Sequence, residues 1–299
     1  MRSVPAFVAI TMACSFAYPA QWPKYQERGV PRDAQGRMNA NGPAPKMPDG
    51  KPDISGDWVR ADREPPPAEL SGILNTAATP GIPVEPPTSP FPPSQNSPPV
   101  ASFWDIGAYL PGGTPLTSWA ADLKKQRMAV NDKDNPDANC LPMGITQFHM
   151  QPQPRKIIQT PTLIVILYEA NYGTRLIYMD GRKLPPPGDP QPWWYGYSVG
   201  RWEGDTLVVE TNNLRGAESG PSDGWLDVRG SPYSDQAKFV ERFRRPIFGK
   251  LEIDVTVDDA KSYTKPFTVR INQRFLPDEE PIEAVCNENQ QFRQRIKID

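Results

Sequence analysis

Apolar and polar residues alternate with a period of two through much of the C-terminal half of the chain. Leu251, Ile253, Val255 and Val257 interleave with Glu252, Asp254 and Thr256, and Phe267, Val269 and Ile271 interleave with Thr268 and Arg270. Successive strand side chains point to opposite faces, so this spacing predicts one buried face and one wet face. Upstream, 157–159 and 163–168 are β-branched and apolar, and 175–179 resumes the pattern after the turn residues 171–174. The runs 194–202 and 206–211 flank Glu203-Gly204-Asp205, and 239–245 and 251–257 flank 246–250, which predicts two hairpins. Residues 282–286 form a candidate closing strand. Residues 117–130 predict a helix, with Thr117 or Ser118 as cap and Trp119, Leu123 and Arg127 at four-residue spacing. Short turns link the strands where a parallel α/β sheet would need crossover helices. The expectation is a mainly β fold: an antiparallel meander of about seven to nine strands forming a barrel or strongly curled sheet, calycin-like.

The N-terminal half reads differently. Residues 21–52 are polar and aperiodic, and 61–100 hold twelve prolines. Proline removes backbone donors, so no helix or strand longer than a turn is expected there, only extended chain that wraps the core. One short strand near 54–60, carrying Trp58, interrupts it. The chain therefore divides into a signal segment 1–17, a Pro-rich extension 18–116, and a helix plus antiparallel β-domain 117–299. Met1-Arg2-Ser3 precedes an apolar stretch, and Ser15-Phe16-Ala17 supplies a cleavage site after Ala17, with Ala20 as second choice. This predicts export to the periplasm or beyond. Lipidation at Cys14 is the less favoured alternative, since Thr11 stands where an aliphatic residue belongs. Cys140 and Cys286 then remain, and two cysteines in an exported chain read as a disulfide; two buried thiols are the alternative.

Composition narrows the function classes. Net charge is −2, which argues against a nucleic-acid partner. After the first twenty residues no apolar run reaches the ~18–20 positions of a spanning helix. The single histidine, His149, excludes a His-rich metal site and reads as a surface or cap residue. Asp132, Asp134 and Asp137 suggest a Ca²⁺ loop, but Asp137 and Met143 stand where an EF-hand needs Gly and Glu, so a solvated loop is expected. Gly196-Tyr197-Ser198-Val199-Gly200 matches a nucleophile elbow in letters only, because a strand follows and no His comes after Ser198. No metal and no cofactor is implied.

Two constellations carry more. Trp193, Trp194, Tyr195, Tyr197 and Trp202 cluster within ten positions and are the candidate ligand-binding set, against the plainer reading of core packing. Charges also fall inside strands. Glu169 continues the parity of Leu163, Val165 and Leu167; Glu241 shares that of Phe239 and Phe243; Arg175 shares that of Ile177 and Met179. If those faces point inward, a carboxylate–guanidinium cluster lies inside the barrel, where charge must be paired or used. Glu241, Asp227, Glu169 and Arg175 are the catalytic candidates, with a structural ion-pair network as the alternative. Arg242, Arg244 and Arg245 are expected in solvent.

Met179-Asp180-Gly181-Arg182, the run Gly196-Tyr197-Ser198-Val199-Gly200-Arg201-Trp202-Glu203-Gly204-Asp205-Thr206-Leu207-Val208-Val209-Glu210-Thr211, and Glu241-Arg242-Phe243-Arg244-Arg245 resemble a family of exported bacterial proteins. Pro48-Asp49-Gly50-Lys51-Pro52-Asp53 ahead of Gly56 and Trp58, and Trp225-Leu226-Asp227, fit the same resemblance. The family is frequent in Acidobacteria and some Proteobacteria, and the resemblance spans roughly residues 47–286. It implies export and a β-rich fold but no particular activity. Leu184 and Tyr233 stand where the family would have His. Three functions follow: an exported barrel binding a small apolar or aromatic molecule; a lyase, isomerase or hydrolase on the same scaffold using an internal carboxylate–Arg pair; or a structural or surface interaction protein.

Overall fold

The computed structural model describes residues 25–64, 88–91, 96–188 and 193–286. The signal segment with Cys14, and most of the proline-dense stretch 61–100, lie outside the described residues. Within that stretch the described residues after Arg60 carry only isolated bridges, Arg63 to Thr88 and Val100 to Arg270.

Among the described residues nine strands form: β1 (Gly56–Arg60), β2 (Arg155–Gln159), β3 (Leu163–Tyr168), β4 (Thr174–Tyr178), β5 (Tyr197–Glu203), β6 (Thr206–Asn212), β7 (Lys238–Ile247), β8 (Lys250–Asp258) and β9 (Phe267–Phe275). They close in sequence order into a barrel, with β9 returning to β1. The expected meander breaks at one place. β4 and β5 run parallel and share only two register pairs, Ile177 with Ser198 and Tyr178 with Val199. The connection carries Pro185-Pro186-Pro187, which cannot serve as a hairpin ladder, and it returns the chain to the end where β4 began.

Parity places the core as expected on the C-terminal strands. Ile253 faces Ile271, Val255 faces Val269 and Val257 faces Phe267, all buried. The opposite face is less wet than alternation alone predicts. Glu252 is only 3% exposed, because Lys250, Arg244 and Arg270 close around its carboxylate and Phe91 of the Pro-rich half covers Lys250. The segment 99–101 runs beside β9, where Arg270 donates to the Pro99 carbonyl and Ala101 donates to the Arg270 carbonyl.

Among the described residues two α-helices accompany the barrel where one was expected. α1 (Ser118–Ala129) is capped by Thr117, whose hydroxyl accepts from the Ala120 N–H. α2 (Ile145–Met150) was not legible: all six of its residues are buried, so it shows no polar face and is too short for a stripe. α2 and the long loops cover one barrel end. An N-terminal strap, residues 38–54, crosses the other. There Phe248 and Gly249 donate to the Gly42 and Ala40 carbonyls, and a Cβ on Gly249 would meet Ala40 Cβ at 2.6 Å. Arg245 is buried at this end rather than solvated. It continues the inward parity of Phe239, Glu241 and Phe243, lies over Trp58 and Phe248, and donates to the Asp53 and Phe248 carbonyls.

Cys140 and Cys286 are bridged, with Cα atoms 5.6 Å apart across a separation of 146 residues. Residues 282–286 form no strand; the disulfide and a bond from the Ile282 N–H to Glu169 hold them instead. Chain-entropy reasoning puts the constraint at up to roughly 5 kcal/mol for so long a loop. Reduction, or a Cys140→Ser/Cys286→Ser double variant, should lower the unfolding free energy from urea titration by several kcal/mol and move the midpoint to lower urea. An unaltered midpoint would contradict a stabilising role.

Candidate functional site

The in-strand charges meet inside the barrel. Arg175 on β4 reaches Glu241 on β7 with two N–H groups, one on each carboxylate oxygen. Its remaining donors engage Ser198 on β5, through Nε at 3.2 Å, and Thr211 on β6 at 2.9 Å. Ser198 and Thr211 are also within 2.9 Å of each other. The Glu241 oxygen Oε1 further receives His149 Nε2 at 2.8 Å, from α2. All five side chains are buried. Strand parity explains four of them: Arg175, Ser198, Thr211 and Glu241 occupy inward positions on four consecutive strands.

His149 is therefore neither a surface nor a cap residue; it is 1% exposed. Burial lowers its pKa more than the bond to Glu241 raises it, so the ring is neutral. A carboxylate only accepts, so Nε2 carries the proton and donates, and Nδ1 has no partner among the described residues. A second buried cation fixes the segment after α2. Arg155 donates to the backbone carbonyls of His149, Gln151 and Gln153 and to Gln273 Oε1, all at 2.6–2.8 Å. Burial pulls its pKa down to about 10, which leaves it charged at neutral pH.

For Glu241, burial works to raise the pKa. The charge and hydrogen bonds of Arg175, with the bond from His149, overrule it and hold the carboxyl at about 2. An ionised carboxylate with both oxygens occupied, in a cluster closed to solvent, is built as a clamp rather than as a proton donor.

The other candidates scatter. Glu169 does not join the cluster. The inward face of β3 is Ile164, Ile166 and Tyr168, so Glu169 lies on the outer side and accepts from the Ile282 N–H. Both faces of β3 are apolar, which hid the choice. Asp227 is buried in the loop between β6 and β7, where it accepts from the Ile106 and Ser231 N–H groups. Burial raises its pKa to about 6; Lys124 opposes the rise and Asp105 adds to it. Asp137 is engaged by Gln151 and Asn171, and among the described residues no group of three His, Cys, Asp or Glu could hold a metal ion.

The aromatic cluster divides as well. Trp193 is 37% exposed and leans on Tyr197, which stacks on Tyr178. Trp194 lies under the Arg215 guanidinium, and Tyr195 turns inward against Phe148. Trp202 lines a cavity. That cavity, of about 480 Å³, opens at the strap end and includes Met47, Pro48, Gln159, Met179, Gly200 and Trp202 in its lining. Gln159, Gly200 and Trp202 are inward positions on β2 and β5, so the cavity is the barrel mouth. Gln159 has both polar ends tied to the strap, at Pro52 and Ile54. Arg201 and Asp49 sit at the rim.

No family model, curated protein or solved structure matches this chain.

Glu241 and Asp227 give opposite pH dependences. Glu241 titrates at 4.5 when free and about 2 when folded, so its contribution is complete above 4.5 and is lost as pH falls towards 2. Asp227 goes from 3.8 to about 6, so its contribution is complete below 3.8 and is lost as pH rises through 6. Glu241→Gln should cost about 3–5 kcal/mol at pH 7 and remove the acid-side loss. Asp227→Asn should remove the loss between those two values. Urea titrations from pH 2 to 7 check both; slopes unchanged in the variants would contradict the assignments.

Proposed function

We propose that this chain is an exported binding protein that takes a small apolar or aromatic molecule in the barrel mouth. The observation that carries the reading is the mouth cavity itself. Its lining is mostly apolar, it presents Trp202 and Met179, and it is roofed by Met47 and Pro48 of the strap. Its volume lies within the ~300–1,000 Å³ typical of small-molecule sites. Gly200 contributes by lacking a side chain, since a Cβ there would meet Met179 Sδ at 2.5 Å. The cation at the rim, Arg201, is already occupied by Glu203 and Glu210, which leaves the cavity suited to a neutral guest. Export is supported by the N-terminal signal pattern and by a disulfide that needs an oxidising compartment.

The enzyme alternative rests on Glu241 and Arg175. Their mutual saturation and burial favour a structural role over chemistry, and the mouth lining contains neither.

The uncharged fluorophore N-phenyl-1-naphthylamine provides the test. The protein should enhance its emission saturably at one molecule per chain. Trp202→Ala should weaken binding about tenfold, the worth of one aromatic contact of ~1.4 kcal/mol. No saturable binding, or binding that Trp202→Ala leaves intact, would contradict the proposal.

A further inference from the structure

A second cavity lies beside the mouth at the same barrel end, across the strap. It measures about 640 Å³, and its apolar walls come from Met38 and Ala40 of the strap, Phe91, Ile247 and Phe275. Lys250, Glu252 and Arg274 line its polar side.

The charges on that side do not balance. Lys250 and Arg274 stand directly opposite each other on β8 and β9. Like charges in that relation repel. Glu252 is the one carboxylate of the lining, and it is spent. Its Oε1 receives Lys250 at 2.7 Å and Arg270 at 3.2 Å, and its Oε2 receives Arg244 at 2.5 Å. Asp254 is taken by Arg270. Arg274 is exposed and has no ion-pair or hydrogen-bond partner among the described residues. A cavity walled by aromatic and aliphatic side chains thus ends in two adjacent cations, one of them unpartnered. We propose that it is a separate binding site for a small amphiphilic carboxylate, with the tail against Phe275, Phe91 and Ile247 and the carboxylate between Arg274 and Lys250. A bidentate bond from Arg274 would neutralise the cross-strand repulsion, and the buried Lys250 ammonium would add a second contact. Among the described residues the mouth lining has no such free cation, so the two sites would select guests of different charge.

Calorimetric titration of the full chain, its mouth held saturated with N-phenyl-1-naphthylamine, with octanoate and with 1-octanol tests this. Octanoate should bind one to one, at least tenfold more tightly than octanol, with affinity falling as salt rises. Arg274→Gln, at an exposed position, should abolish the preference for the acid. Ile247→Trp should fill the cavity and remove octanoate binding, whereas Trp202→Phe should leave it unchanged. No octanoate binding, which includes the case where other residues of this chain fill the cavity, would overturn the proposal. So would equal binding of octanol, a preference that survives Arg274→Gln, or loss of octanoate binding in Trp202→Phe.

Discussion

The Arg175 guanidinium ties together four consecutive strands of the barrel: its own β4, then β5 through Ser198, β6 through Thr211 and β7 through Glu241. It does so across the weakest point of the wall. β4 and β5 share two register pairs, whereas β5–β6, β6–β7 and β8–β9 share five to eight each. A parallel seam this short has little backbone hydrogen bonding of its own, so the side chains behind it must supply the closure. Desolvating a guanidinium and a carboxylate is costly, and it is offset here by near-complete pairing. His149 extends the same network into α2, and Arg155 fixes the chain that follows.

This arrangement divides the barrel. The end under α2 is packed around the buried network of Arg175, Glu241 and His149. The end under the strap has both cavities, and its closure is lighter: backbone bonds from Phe248 and Gly249 to the Gly42 and Ala40 carbonyls, and Arg245 packed over Trp58, Phe248 and Phe275. Both cavities described above therefore lie at the strap end, and the buried ion pair lies behind the β4–β5 seam.

Much of this was legible as strand parity. Glu241 with Phe239 and Phe243, and Arg175 with Ile177, carried inward faces in their spacing alone, and the signal segment expected to carry Cys14 pointed to Cys140 and Cys286 as the pair. What escaped has physical reasons. β3 is apolar on both faces, so parity could not tell that Ile164 and Ile166, not Leu163 and Val165, point inward, and Glu169 was drawn with the wrong set. His149 lies on six residues with no wet side, and a helix without amphipathicity leaves no periodic trace. Arg245 had the parity of Phe243 but was grouped with its exposed neighbours Arg242 and Arg244. The aromatic cluster spans a turn into β5, so adjacency in sequence sent its rings in different directions, and only Trp202 reached the mouth.

The clamp at the seam is tested most directly by native-state hydrogen exchange in Arg175→Met. The account predicts that the amides pairing β4 with β5, around Ile177, Ser198 and Val199, lose protection by orders of magnitude while those of β8 and β9 keep most of theirs. Protection at the seam equal to that of the parent protein would contradict it.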